Sequence, residues 1–353
     1  MRILVINCGS SSIKYKFFEL PKGKIISAGL VEHIGEPGSR IGNYLTGIRQ
    51  ILQGIQKVEA IGHRVVHGFE KFKEPVLIDQ RVIRKIRQCS LLAPLHNPAN
   101  LEGILACKKL LPRLRQVAVF DTAFHQTLPD YAYIYGLPYE YYKRLGIRKY
   151  GFHGMSHEYV AHEAAKILKR PLHKLKMITC HLGNGCSITA IDKGKSVDTS
   201  MGFTPLEGLI MGTRCGDIDP ALVTFIMKNK KIDARRMDEI LNKDSGLKGI
   251  SGISNDMREL LDWASRGDKR AQLAVDIFVY RVKKYIGAYI AVMGGLDVLV
   301  FTAGIGEHAK LIRDKICRAS FAHLKNRPKT LVIPTNEELM IARQVYNLLE
   351  VKR

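Results

Sequence analysis

Three apolar, strand-like runs in this chain each feed a turn rich in glycine, and that repetition limits the fold to one in which several strands deliver backbone N–H groups at their ends. The first is Ile3-Leu4-Val5-Ile6, followed by Asn7-Cys8-Gly9-Ser10-Ser11-Ser12 and then Ile13 to Phe18. The second is Met177 to His181, which meets Leu182-Gly183-Asn184-Gly185 before an alternating strand from Cys186 to Ile191. The third is Val298 to Thr302, which meets Ala303-Gly304-Ile305-Gly306 and then Glu307, expected to open a helix through Cys317. In the first turn Gly9 permits a tight reversal, the serines supply hydroxyls and main-chain donors, and Lys14 adds a cation, a surface suited to an oxyanion. The competing account is a hairpin whose serines satisfy only their own backbone. The Gly-Lys-Ser/Thr ending of a Walker A loop is missing. Three such turns point to several segments converging on one phosphorylated ligand.

A chain of 353 residues exceeds the usual single core and predicts two domains, and 46% hydrophobic residues is a globular composition. The N-terminus turns strand-like at once, without the apolar core of a secretory signal. The longest apolar stretch, Ile286 to Ile305, is cut by Gly294, Gly295 and Asp297, so it reads as a buried helix followed by a strand and not as a membrane span. A soluble protein is expected. Seven cysteines without Cys-x-x-Cys spacing read as free thiols in a reducing compartment, the cytoplasm. The formal charge of +22 raises nucleic acid as a competing partner, but the basic residues are scattered, and a solvated basic surface that attracts anionic substrates explains them as well.

Strand and helix characters alternate, which argues for an α/β protein, with a domain boundary near residue 123. Asn97 and Pro98 read as N-cap and first residue of a helix that Pro112 ends. The next strand, Val117 to Phe120, delivers Asp121 at its carboxyl end, as a ligand-facing acid or as a turn cap. Arg64, inside the strand-like Gly62 to Gly68, demands an anionic partner, either a structural carboxylate or a bound substrate. Arg214 is flanked by glycines in Met211 to Pro220, placed either to pair with Asp217 or Asp219 or to clamp an anion. His153 and His157 have the spacing of a helical metal pair, yet Gly154 intervenes, Ser156 reads as an N-cap, and no third ligand is near; His153 is instead a hydrogen-bond donor to a ligand or a satisfied buried histidine.

Taken together, these segments resemble the acetate kinase family, the acetate and propionate kinases of the sugar kinase, Hsp70 and actin superfamily. The matching stretches are Ile6 to Ser12, Gly62 to Gly68, Ala93 to Pro98, Phe120 to His125, Tyr150 to His157, His181 to Gly185, Asp198 to Pro220, Gly252 to Arg258, Phe301 to Glu307 and Ile333 to Glu338. They run in the family's order along almost the whole chain. The resemblance implies an α/β fold of two duplicated actin-like (ribonuclease H-like) domains with the nucleotide in the cleft between them. Residues 1–123 with 339–353 would form the first domain, completed by the returning C-terminal helix, and 124–338 the second, which binds nucleotide and dimerises. It also implies reversible, direct in-line phosphoryl transfer between ATP and acetate, giving acetyl phosphate and ADP with Mg²⁺, or Mn²⁺ in its place.

By the same resemblance, Arg64 holds the substrate carboxylate, and Val66, Leu95, Phe152 and Pro205 enclose its methyl group. His153 and Arg214 stabilise charge on the transferring phosphoryl group, which suits a reaction that depends on alignment and charge neutralisation. Asp121 is the family's catalytic acid; acetate is already ionised near neutral pH, so its role is to organise the metal and carboxylate or to orient Arg214. Asn7 and Glu337 match the magnesium positions, with oxygen donors that suit a hard ion. Ser10, Ser12 and Lys14 would face the phosphates. His181, Leu182, Gly183, Asn184 and Gly185, then Asp256, Met257 and Arg258, then Gly304, Ile305, Gly306, Glu307 and His308 match the nucleotide-binding segments.

His308 stands where the family usually has asparagine, and the chain is shorter than a typical member between Phe18 and Gly62 and between Cys317 and Ile333. A propionate kinase, or an acetate kinase using pyrophosphate or another donor, is therefore the alternative enzymatic reading. A non-catalytic nucleotide- or nucleic-acid-binding protein is the remote one. A homodimer and no membrane partner are expected.

Overall fold

The computed structural model describes residues 1–90, 96–318, 321 and 327–351. The chain forms two compact units, the first comprising Met1–Gln126, Gly154–Tyr159 and Asn336–Arg353, the second Thr127–His153 and Val160–Thr335.

The first unit is built on six strands: β1 (Arg2–Cys8), β2 (Ile13–Glu19), β3 (Lys24–Val31), β4 (Ala60–Val65), β5 (Val76–Leu77) and β6 (Arg115–Phe120), in the order β3-β2-β1-β4-β6-β5. β1, β2 and β3 form an antiparallel meander, β4 and β6 run parallel to β1, and β5 closes the edge antiparallel to β6. The unbroken apolar run of β1 follows from burial on both faces. Successive side chains point to opposite sides, so Leu4 and Ile6 pack with Ile48, Ile51 and Cys107, while Ile3 and Val5 pack with Ile341, Ala342, Val345 and Leu349 of the last helix, Glu337–Val351. Each such aliphatic side chain taken from water contributes about 1.5–3 kcal/mol. Gly62 on β4 allows the last helix to approach, since a Cβ there would lie 2.8 Å from Ile341 and 2.9 Å from Val345.

The second unit carries β7 (Lys176–Leu182), β8 (Cys186–Asp192), β9 (Lys195–Thr199), β10 (Val298–Thr302) and β11 (Lys329–Val332), ordered β11-β10-β7-β8-β9. Here β7, β8 and β9 are the meander, and β10 and β11 run parallel to β7 and β10. The two sheets therefore share one topology, β1 answering to β7 and β4 to β10, with β5 as the addition in the first. The longest helix, Lys269–Met293, runs before β10, and no helix among the described residues is long and apolar enough to cross a membrane.

Three local expectations change. The helix Asn97–Leu110 begins one residue early, with His96 at the N-cap and Pro98 in the second position, because Asn97 spends its side chain on the His67 backbone. The helix Gly154–Leu168 has His153, in the left-handed region (φ 57°), at its N-cap position, and Ser156 lies buried inside its first turn. The stretch after β10 is two helices, Ala303–His308 and Lys310–Cys317, broken at Ala309. Glu307 sits in the first of them and folds its carboxylate back onto the Ala303 amide at 2.8 Å.

Candidate functional site

In the first unit, the carboxyl ends of β1, β4 and β6 and the start of the last helix gather polar side chains that the sheet itself does not need. Arg64, near the end of β4, donates to Asp121 Oδ2 at 2.6 Å, lies 3.5 Å from Asn7 Oδ1, and holds Glu337 at 4.0 Å. Burial opposes the Arg64 charge, but Asp121 and Glu337 outweigh it and raise its pKa above the ordinary arginine value. Asp121 is 1% exposed, and its second carboxylate oxygen and Arg64 Nε are buried with no hydrogen-bond partner among the described residues. Buried charges with donors and acceptors still open are costly unless a ligand completes them. Burial also pushes the Glu337 carboxyl up, against the pull of Arg64.

Beside them, Lys14 pairs across the hairpin with Asn7 and its ammonium sits 2.6 Å from Glu338 Oε1, while Lys16 takes Glu338 Oε2 at 3.0 Å. These two cations overcome the burial of Glu338 and hold its carboxyl below the usual range. The turn that carries Ser10 and Ser12 closes through Gly9 N to Ser12 O at 2.8 Å and is braced by the Tyr44 hydroxyl, which donates to the carbonyls of Gly9 and Ser10. Val66 is buried, and its amide donates to Asn100, whose other end donates to the Cys8 carbonyl, so one buried asparagine ties β1 to the Arg64 strand. Leu95 lies outside the described residues.

In the second unit, His153 stacks on His181 with ring centroids 4.1 Å apart, and its Nδ1 lies 2.9 Å from Ser187 Oγ. A Cβ built on Gly185 would fall 3.5 Å from His153 and 3.6 Å from Arg214 Nη1, so the histidine and the guanidinium flank the same glycine turn. Arg214 pairs with neither Asp217 nor Asp219: its Nη1 donates to the Pro205 carbonyl at 3.2 Å and lies 3.6 Å from Met211 Sδ. No carboxylate among the described residues forms an ion pair with it, and burial pulls its pKa below the arginine norm. Phe152 is buried at 2% exposure. Cys8 and Cys186, next to the two hairpin turns, have thiols pushed up to about 12 by burial, which keeps them protonated and poor nucleophiles.

Adjoining this turn is a cavity of about 660 Å³ lined by Gly183, Asn184, Asn255, Asp256, Met257, Arg258, Leu261, Gly304, Ile305, His308 and Ala309. It joins the turns after β7 and β10, and its apolar walls with a few amides and charges suit a flat heteroaromatic ring on a polar tail. Asp256 caps the helix Met257–Ser265 and holds Arg258 at 2.5 Å. Leu182 is buried in β7, Glu307 braces the turn after β10 through the Ala303 amide, and neither Gly306 nor Glu307 lines the cavity. Asn255, inside the matched Gly252 to Arg258 stretch, donates to Asn184 Oδ1 at 2.9 Å, while Leu261 escapes motif reading because it does not depart from an ordinary helix residue. Tyr44 and Asn100 escape it as well, although a polar residue inside the apolar stripe of a helix is a signal that it answers to buried backbone.

Two sheets of the same meander-plus-parallel topology, each ending in a donor-rich turn, define an actin-like α/β protein. The chain belongs to the acetokinase family, whose model matches residues 2–52 and 43–324. It is 51% identical to the acetate kinase of Halothermothrix orenii, across 99% of this chain and 100% of that protein. Among solved structures it is similar to Porphyromonas gingivalis acetate kinase, with a TM-score of 0.92, 44% identity and 99% of each chain covered. A propionate kinase from Francisella tularensis superposes with a TM-score of 0.91 at 45% identity, covering 97% of this chain and 98% of that one.

Proposed function

We propose that this chain is an acetate kinase, transferring phosphoryl groups reversibly between ATP and acetate to give acetyl phosphate and ADP. The observation that carries the reading is Arg214, a part-buried cation with no carboxylate partner among the described residues, set beside His153 at a glycine turn. A structural arginine would have been paired; this one is left for an anion that the protein does not itself supply.

In this reading the cavity of the second unit takes the nucleoside, with Asn184, Asp256 and His308 as its polar contacts, and the Gly183 to Gly185 turn leads to the phosphates. In the first unit, the turn of Ser10 and Ser12 with Lys14 beside it is suited to phosphate oxygens. His153 and Arg214 neutralise charge on the equatorial oxygens during direct in-line transfer, each worth about 3–4 kcal/mol. In the first unit Arg64 orients the acid through its carboxylate, and the buried Val66 supplies an apolar contact for its methyl group. Asp121 keeps Arg64 in place at 2.6 Å.

The open Asp121 oxygen, the Asn7 amide oxygen and the Glu337 carboxylate are hard oxygen donors that fit Mg²⁺ or Mn²⁺. Among the described residues no cluster of three or more His, Cys, Asp or Glu side chains is arranged to hold a metal, which suits an ion kept mainly by waters and substrate phosphates. When bound, such an ion supplies charge neutralisation for the phosphates. We place the enzyme in the cytoplasm, where its seven unpaired cysteines stay reduced.

The test is ATP formation from acetyl phosphate and MgADP by the purified protein, run with acetate against propionate in the reverse direction. Robust activity, lost by a factor on the order of 10²–10³ in Asp121→Asn, is expected. A folded wild-type protein that forms no ATP overturns the reading, and a higher kcat/KM for propionate moves it to a propionate kinase.

A further inference from the structure

Among the described residues Arg214 has no counter-ion to hold it, so its position depends on the segment that carries it. That segment, residues 200–220, contains no strand or helix. It is drawn into a ring at its neck: Asp217 N donates to the Gly208 carbonyl at 2.9 Å, and Asp217 Oδ1 accepts from Gly208 N at 2.7 Å. Arg214 lies inside this ring, its carbonyl accepting from Met211 N at 3.1 Å. The second oxygen of Asp217 accepts from the Tyr285 hydroxyl at 2.7 Å, and Tyr285 stands in the middle of the long helix Lys269–Met293. Upstream, the Tyr135 hydroxyl receives the Phe203 amide at 2.8 Å and donates to Glu207, which Lys149 also holds at 3.1 Å.

Resting on the kinase reading above, we infer that Tyr285 is a positioning residue for the phosphoryl-transfer step, fixing the neck of the Arg214 ring through Asp217. A phenol donating to a carboxylate is a charge-assisted bond, and here it ties an irregular segment to the 25-residue helix Lys269–Met293. Arg214 must meet an oxyanion within a few tenths of an ångström to stabilise it, so looseness at the neck lowers turnover and leaves the nucleotide cavity intact.

One helical turn further on, Tyr289 provides the control. It is 2% exposed, its ring sits 5.7 Å from that of Tyr285, and its hydroxyl has no hydrogen-bond partner. Tyr285→Phe removes the oxygen of a half-buried side chain and Tyr289→Phe that of its buried neighbour, but only the first removes a bond to the ring. The expected result for Tyr285→Phe is a roughly tenfold lower kcat with KM for ADP within about twofold, and faster hydrogen exchange in peptides covering residues 202–217. Tyr289→Phe should match the wild type in both. In an Arg214→Ala background Tyr285→Phe should lower kcat no further, because the group it positions is gone.

Wild-type kcat in Tyr285→Phe, the same loss in Tyr289→Phe, or a full additional loss in the Arg214→Ala background overturns the inference. If the wild type forms no ATP, the kinase reading falls and exchange alone decides the clamp. Faster exchange confined to Tyr285→Phe then sustains it, and equal exchange in all three proteins overturns it.

Discussion

Asp121 places one carboxylate oxygen on Arg64 and leaves the other buried and open, while Arg214 is a cation with nothing of its own to neutralise. Both are expensive arrangements in an apoprotein, and both become favourable when an anion or a cation arrives. Arg214→Ala is therefore expected to lower kcat by a factor on the order of 10²–10³ while the Kd for ADP, measured calorimetrically, stays within about threefold. Near-normal turnover in the folded variant would remove its role. A different residue sets a pH dependence of stability. Glu158, on the helix Gly154–Leu168, accepts from Gln344 at 2.7 Å, and burial raises its carboxyl from 4.5 to about 7. Between those values the folded chain keeps a proton that the unfolded chain has released, so stability falls as pH rises through this window and is flat above it. Glu158→Gln should therefore stabilise the protein by roughly 1–3 kcal/mol near pH 8 and by little near pH 4.5, as read from urea unfolding.

At the level of elements, the last helix and the long helix of the second unit show how a glycine's meaning depends on its neighbours. Gly62 lies under the last helix, where an added Cβ meets Ile341 and Val345 within 3 Å. Gly62→Ala should cost about 1–3 kcal/mol and, because that helix starts at Glu337, raise KM for the metal–nucleotide complex as well. Gly287, in the middle of Lys269–Met293, has no atom within 4 Å of the same construction. Gly287→Ala should stabilise by about 0.5–1 kcal/mol through helix propensity alone, with unchanged kinetics. Denaturant titrations of the two variants check both signs. Within the first unit, Gly154 opens its helix against the Asp121 carbonyl, donating to it at 3.0 Å, where an added Cβ would clash with that carbonyl.

For the molecule as a whole, the second unit presents apolar surface that its own core does not cover. The helix Ala221–Lys230 has no buried residue, and Leu222 and Phe225 on one of its faces are 43% and 62% exposed. Aromatic and aliphatic groups spaced three apart on an unburied helix are expected to meet a second copy of the chain. Phe225→Glu should shift the sedimenting species from dimer to monomer; a wild type that is monomeric at micromolar concentration contradicts the dimer. Exposed pairs such as Arg266 with Asp262 and Lys310 with Asp314 are neutral as pairs and leave the excess of +22 uncompensated, a field that favours the approach of anionic substrates.

Period and punctuation in the chain determined much of this protein. The apolar run Ile3 to Ile6 and the glycine turns after β1, β7 and β10 marked an α/β protein without coordinates, because these are local signals with a fixed residue period or turn chemistry, whereas the phosphotransferase reading came from the family resemblance of the ordered motifs around Arg64, Asp121, His153 and Arg214. What tertiary structure alone decided was who pairs with whom. Arg64 found Asp121, whereas Arg214 passed over Asp217 and Asp219 a few residues away, and Asp217 turned instead to Gly208 and Tyr285. Asn97 left the capping position to bridge His67, and Glu307 folded back on its own helix. A side chain's partner is set by the three-dimensional competition among all donors, acceptors and burial costs within reach, and sequence spacing does not encode that competition.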